Sequence, residues 1–315
     1  MPVWRGEPLI GKSITVQMEQ GFGDIIMFAR FLPALKALGA SRVVVLQEGT
    51  LHYLLGQIHA VDVFSNDLKN GVAKDSDYWI GSMSLPYYIS LQHPIVKAMF
   101  PVTRNKIIGS EGYLHAIPSN IPPKIGVNWE ASKQTLYYIK SIANEHMAEM
   151  VGDDAYSLNP HSDGLFHPLP NDGWKKDWVK TAQHMKAMKG VVTVDTGTAH
   201  LAGALGVRTI VLLPKEEFVC WRWKNARWYD SVVCLRPHEY DQLPELWHSA
   251  QSMRNSLPCG FCACSPKANR SRQLIKSDSL YIRISQFYTK RRQHPPQGLA
   301  CGRRYIQFLR VVRPI

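Results

Sequence analysis

The stretch Gly190-Val-Val-Thr-Val-Asp195-Thr-Gly-Thr-Ala-His200-Leu-Ala-Gly-Ala-Leu-Gly206-Val-Arg-Thr-Ile-Val-Leu-Leu213 decides the fold class. It opens on a continuous β-branched run of buried-strand type and passes through a turn of Asp, Thr and Gly. A small-residue helix over 199–205 follows, and a second apolar strand over 208–213 closes the unit. A strand, a helix and a strand in such quick succession require a parallel pairing with the helix crossing over it. The amides from Gly197 onward point along the helix axis, so this turn can cradle an anion such as a pyrophosphate. The bland roles of its side chains are helix capping for Asp195 and Thr196, and simple packing for His200.

The same logic recurs at the other end of the chain. Ser13-Ile-Thr-Val-Gln-Met18 reads as a strand, Gln20-Gly-Phe-Gly-Asp24 as a glycine turn, and 25–38 as one amphipathic helix stopped by Gly39. Glycines at 21 and 23 let a backbone come close to a ligand, and Asp24 sits where an N-cap would. Further strands are expected at 42–47, 61–64 and 78–80, with a helix over 51–57. After the Pro-rich segment 118–123, the series restarts with strands at 124–129 and 155–158 and a helix over 178–189. The expected organisation is an N-terminal Rossmann-like domain over 1–120 and a C-terminal one over 121–257. No short-period repeat is present.

Composition separates a third part. Residues 258–315 hold twelve Lys or Arg against one acid, Asp278, whereas residues 1–257 hold 25 bases and 24 acids. The formal net charge of +12 therefore belongs almost entirely to the tail, which also contains Cys259, Cys262, Cys264 and Cys301. Three closely spaced Cys lack the second pair that a structural zinc site needs, and only distant Cys301 or His294 could complete one. The tail is expected to be irregular, with weak anionic contacts as its chemistry. No 18-residue apolar run and no signal-type leader occur, so a cytoplasmic protein with no transmembrane segment is expected, with Cys220 and Cys234 as reduced core thiols.

The aromatic stretch Trp221-Arg-Trp223 and Arg227-Trp228-Tyr229 reads mainly as packing, with stacking on a base or sugar as the other option. Residues 4 to about 247 resemble glycosyltransferase family 9, the ADP-heptose:lipopolysaccharide heptosyltransferases. They look nearest to the heptosyltransferase-like domains that follow tetratricopeptide repeats in bacterial and phage proteins, although this chain has no such repeats. The resemblance rests on 11–24, Lys124-Ile-Gly-Val-Asn-Trp129 and 194–206, with Leu-Leu-Pro214 and Trp-Arg-Trp after it.

That resemblance implies a GT-B architecture, with two Rossmann-like domains facing a cleft, and inverting, metal-independent sugar transfer from a nucleotide-diphosphate donor to a glycan or other hydroxyl acceptor. By match to the family motif, Asp24 is the general base, and Gly21 and Gly23 form its loop. Asp195, Thr196, Gly197, Thr198 and His200 are implied to hold the donor. Lys133 or Lys140 is implied to neutralise the leaving diphosphate. No cofactor beyond the co-substrate is expected. Residues 156–160 carry no acid for a ribose, which leaves the nucleotide base open. Two other readings compete. One is a catalytically silent sugar- or nucleotide-binding scaffold. The other is an NAD-dependent oxidoreductase built on Gly21-x-Gly23 and Glu48, which Ile26 in place of the third glycine and the carboxylates Glu19 and Asp24 disfavour.

Overall fold

The computed structural model describes residues 1–242, apart from 48–49, 66–74, 92–97, 99–106, 132–136, 160–163, 171–176 and 225–227. The tail, its cysteines, Lys133 and Glu48 thus lie outside the described residues. Met1–Ala250 form one compact unit. Two parallel sheets organise it.

The first sheet contains β1 (Ser13–Gln17), β2 (Arg42–Leu46), β3 (Val63–Ser65) and β4 (Tyr78–Gly81) in the order β3-β2-β1-β4. Every pairing is parallel, with Ser13 opposite Arg42 and Ile14 opposite Tyr78. The second contains β5 (Ile125–Asn128), β6 (Ala155–Ser157), β7 (Gly190–Val194), β8 (Thr209–Leu212) and β9 (Val232–Leu235) in the order β6-β5-β7-β8-β9, again all parallel. Residues 112–124 carry neither helix nor strand between the two. In each sheet the strand order reverses at one place, between β1 and β4 and between β5 and β7. The crevice outside the carboxyl ends of strands at such a reversal is where open α/β sheets bind ligands.

The helix that follows each glycine turn explains the core. Helix α1 (Phe22–Ala29) buries Ile25 through Ala29 without interruption. A helix apolar on every side must be covered on every side. Its own sheet covers one face and the helix α8 (Gly197–Ala204) covers the other. One apolar core consequently runs from Ile14 and Val16 of β1 through Ile26 and Phe28 to Leu201 and Leu205. A smaller cluster of Val127, Met147, Val192 and Ile210 covers the other face of the second sheet. Fully burying side chains of this size stabilises by about 1.5–3 kcal/mol each.

The single helix expected over 25–38 is two, α1 and α2 (Leu32–Ala37), separated at Arg30 and Phe31. Pro33 is the cause, since its ring has no N–H to donate and clashes with the carbonyl four residues back. The remaining helices are α3 (His52–Leu55), α4 (Leu85–Ser90), α5 (Tyr137–Lys140), α6 (Asn144–Val151), α7 (Trp178–Ala187) and α9 (Trp221–Lys224). Asp177 caps α7, accepting from the Val179 and Lys180 amides, each at 3.0 Å. Among the described residues, no helix is long and apolar enough to cross a membrane.

Candidate functional site

The two strand-to-helix turns meet. The N-terminus of α1 lies against that of α8 so closely that a Cβ on Gly23 would stand 2.7 Å from Cδ2 of His200 and 3.4 Å from the Gly197 Cα. The missing side chain at Gly23 therefore serves helix-to-helix contact. Gly21 faces open space. Gln20, just before it, has φ +65°, the only non-glycine in the left-handed region among the described residues. Such a backbone is sparsely populated and clusters at functional turns.

Asp24 does not cap α1. Gly21 holds the N-cap position and makes no side-chain bond. The Asp24 carboxylate instead accepts from Nη2 of Arg222 on α9, an ion pair between residues 198 apart in sequence. Both side chains are more than four-fifths buried. Burial pushes the Asp24 carboxyl above its ordinary value, and nearby Asp195 adds to this, while Arg222 and Lys140 oppose it. Arg222 also donates to the Cys220 sulfur and lies over the Trp221 ring, 5.1 Å from its centroid.

Asp195 directly follows β7 and is buried. Its two oxygens are divided between Lys140 Nζ at 2.6 Å and the Trp223 indole N–H at 2.7 Å. Burial opposes its charge, but Lys140 and the indole outweigh that and hold the carboxyl below its ordinary value. Thr196 occupies the N-cap of α8 without a side-chain capping bond, and its hydroxyl stands 3.4 Å from that of Thr193. Thr198 is buried and accepts from Asn128 Nδ2 at 3.0 Å, which ties the turn to the end of β5. Neither Asp195 nor Thr196 thus performs the capping that their position suggests.

His200 is buried, stacked on Trp223 at 4.9 Å between centroids, with Nδ1 3.0 Å from the Tyr229 hydroxyl. Burial lowers its pKa to about 3 against the pull of Asp195, with Arg222, Arg30 and Lys140 pushing the same way as burial. The imidazole is neutral at ordinary pH and can offer a directed hydrogen bond but no charge. Behind it, a Cβ on Gly203 would fall 2.4 Å from the Tyr229 ring, so glycine there is what admits the tyrosine.

Of the residues singled out by sequence, Asp24, Asp195, Lys140, Thr198 and His200 come together with Gly23 and Gly197. Lys133 lies outside the described residues. Arg222 and Arg30 were not among the candidates. Arg30 is 2% exposed and donates to the carbonyls of Met27 at 2.9 Å, Ile108 at 3.2 Å and Trp228 at 2.6 Å. Its guanidinium lies 4.6 Å from the Tyr229 centroid and 5.0 Å from that of Tyr113. Cys220 and Cys234 are free thiols, partly buried and packed against the main apolar core. Among the described residues no group of three or more His, Cys, Asp or Glu is placed to hold a metal ion.

Two parallel sheets whose reversal points meet in a buried polar junction define an α/β protein with a candidate site at strand carboxyl ends. No family model matches the chain. Protein FlbA of Caulobacter vibrioides is 23% identical over 281 residues, a match covering 75% of this chain and 45% of that protein. The chain thus spans less than half the length of this relative. Among solved structures, the Escherichia coli ADP-heptose LPS heptosyltransferase II superposes with a TM-score of 0.52 at 13% identity, covering 78% of this chain and 100% of that one. A glycosyl transferase family 9 structure from Veillonella parvula gives 0.50 at 14% identity, covering 72% and 88%. The chain shares the fold of family 9 glycosyl transferases.

Proposed function

We propose that the chain is an inverting, metal-independent glycosyltransferase of GT-B type, moving a heptose-like sugar from a nucleotide-diphosphate donor to a hydroxyl acceptor on a glycan or other molecule. In this reading the 1–120 and 121–257 parts are its two Rossmann-like domains, facing a cleft. The observation that carries it is the convergence of Asp24 with Asp195, Lys140 and His200 where the two strand-to-helix turns meet. That a named heptosyltransferase has the same fold supports the choice of donor.

An inverting transfer needs one base for the acceptor hydroxyl and positive charge or N–H donors for the departing diphosphate. Asp24 is the base. Its burial raises its proton affinity, which is the direction a base needs. The Gly197 turn and Lys140 receive the diphosphate, with Thr196 at the rim of the turn. Thr198 keeps the turn on β5, and Asp195 fixes Lys140 and Trp223 in place. His200 contributes a neutral hydrogen bond to the donor. No cofactor is required beyond the co-substrate. The protein works in the cytoplasm, and the basic tail adds weak contacts to anionic partners.

The test has two parts. A thermal-shift screen with ADP, GDP, UDP, ADP-heptose and NAD reports any ligand bound only to the folded chain. A rise with one nucleoside diphosphate or its sugar is expected, whereas a rise with NAD alone would replace this reading by a dehydrogenase. Asp24→Asn is then expected to lower transfer by about a thousandfold, within the range a positioned general base supplies. Transfer at the wild-type rate in that variant would remove Asp24 from the chemistry.

A further inference from the structure

The junction contains more buried positive charge than its carboxylates neutralise. Arg30, Lys140 and Arg222 all act on the His200 ring, as does Asp195, and Asp24 faces Arg222. That makes three cations and two carboxylates among the described residues around one neutral imidazole. Lys140 is committed to Asp195. Arg30 has carbonyls and ring faces for partners and no carboxylate among the described residues. Two of the guanidinium nitrogens, Nη2 of Arg30 and Nε of Arg222, are buried with no hydrogen-bond partner among the described residues. A buried cation with an unfilled N–H is an incomplete arrangement, and an anion is what completes it.

Arg222 is the member able to take that anion. Its fork fits a phosphate as well as a carboxylate. One nitrogen rests on Asp24, one on the Cys220 sulfur, a weak acceptor, and one on nothing. Two of the three positions therefore have no strong acceptor, which phosphate oxygens would supply. We propose that Arg222 is an exchangeable anion-binding residue: its guanidinium holds Asp24 while no anion is present and moves to the donor's diphosphate when that arrives, releasing the Asp24 carboxylate to the acceptor hydroxyl. The identity of the anion rests on the transferase reading; the exchange itself does not. Donor arrival and exposure of the base become one event, so the base is not offered to a hydroxyl before there is a sugar to transfer.

The exchange makes Asp24 an internal competitor for the anion, and this gives an unusual sign to test. Calorimetric titration of the full chain with inorganic pyrophosphate should show Asp24→Asn binding about tenfold more tightly than wild type, as expected if the competent guanidinium is free about a tenth of the time. Arg222→Gln should weaken binding by about tenfold or more, and Arg222→Lys should recover part of it. Mere structural damage weakens binding, so tighter binding by Asp24→Asn cannot arise from misfolding. Equal or weaker binding by Asp24→Asn, wild-type binding by Arg222→Gln, or no binding by any of them overturns the proposal. The expected pattern in a chain that transfers no sugar would sink the transferase reading and leave Arg222's role standing. Sugar transfer dependent on Asp24 without the pattern would do the reverse.

Discussion

The two glycine turns look alike in sequence and are finished differently. After β7, the turn is completed from its own half: Asp195 by Lys140 and Trp223, Thr198 by Asn128, His200 by Tyr229. After β1, the turn is exposed at Gln20 and Gly21, and its one acid is held by Arg222 from the far end of the chain. The first kind of turn is a fixed platform. The second depends on a partner that can leave, and that is where a reacting group is better placed.

The sharpest way to break this contrast is to remove the charge from each acid in turn. Asp195→Asn strands Lys140 as a buried cation and should cost about 3–5 kcal/mol in urea unfolding. Asp24→Asn removes a charge that burial already disfavours and keeps an oxygen to accept from Arg222, so it should cost less than Asp195→Asn. Equal losses would erase the distinction between platform and reacting group.

The same acids should differ in the sign of their pH dependence. The Asp195 carboxyl sits below its ordinary 3.8, so the folded state binds fewer protons than the unfolded one. Its stabilisation is present above 3.8 and is lost as pH falls through the lower folded value. Asp24 sits above 3.8, so its folded state binds more protons, and stability declines as pH rises from 3.8 through the raised value. Relative to wild type, melting curves from about pH 2.5 to 6.5 should rise less steeply below 3.8 in Asp195→Asn, where Asp62, Asp77 and Asp154 keep part of the rise, and more steeply above 3.8 in Asp24→Asn. His200, held near 3 by burial against an ordinary 6.5, adds a rise in stability from about pH 3 to 6.5, because the unfolded chain takes up its proton first as pH falls.

Glycine substitutions provide the smaller effects. Gly203→Ala drives a methyl to within 2.4 Å of the Tyr229 ring and should cost about 1–3 kcal/mol. Gly21→Ala meets nothing within 4 Å at an ordinary extended backbone but gives up the N-cap preference for glycine over alanine, so it should cost about 0.5–1 kcal/mol. Chemical denaturation of both variants measures the difference. A large loss at Gly21 would mean that this turn is as closed as the other.

Most of the strands were legible because parallel strands buried on both faces are uninterrupted β-branched runs, as at Val43-Val44-Val45 and Val191-Val192. Strand β9 was not, because Val232-Val233-Cys234-Leu235 lies at the sheet's edge and only Leu235 is buried. The break at Arg30 was hidden by apolar spacing that runs through it, though Pro33 was its visible marker. Asp24, Asp195 and His200 stood out because residue type and turn position coincide. Arg222 had no such signal. Trp-Arg-Trp reads as packing, which Trp223 does perform, and nothing local tells an arginine that its partner lies 198 residues away.

Arg30 has a consequence for ionic strength. Its charge is permanent, sits away from water between Tyr113, Trp228 and Tyr229, and has carbonyl rather than carboxylate neighbours. Added salt screens exposed pairs such as Lys12 with Asp77, but it reaches a buried charge far less. The pull of this junction on an anion therefore has a part that salt leaves in place.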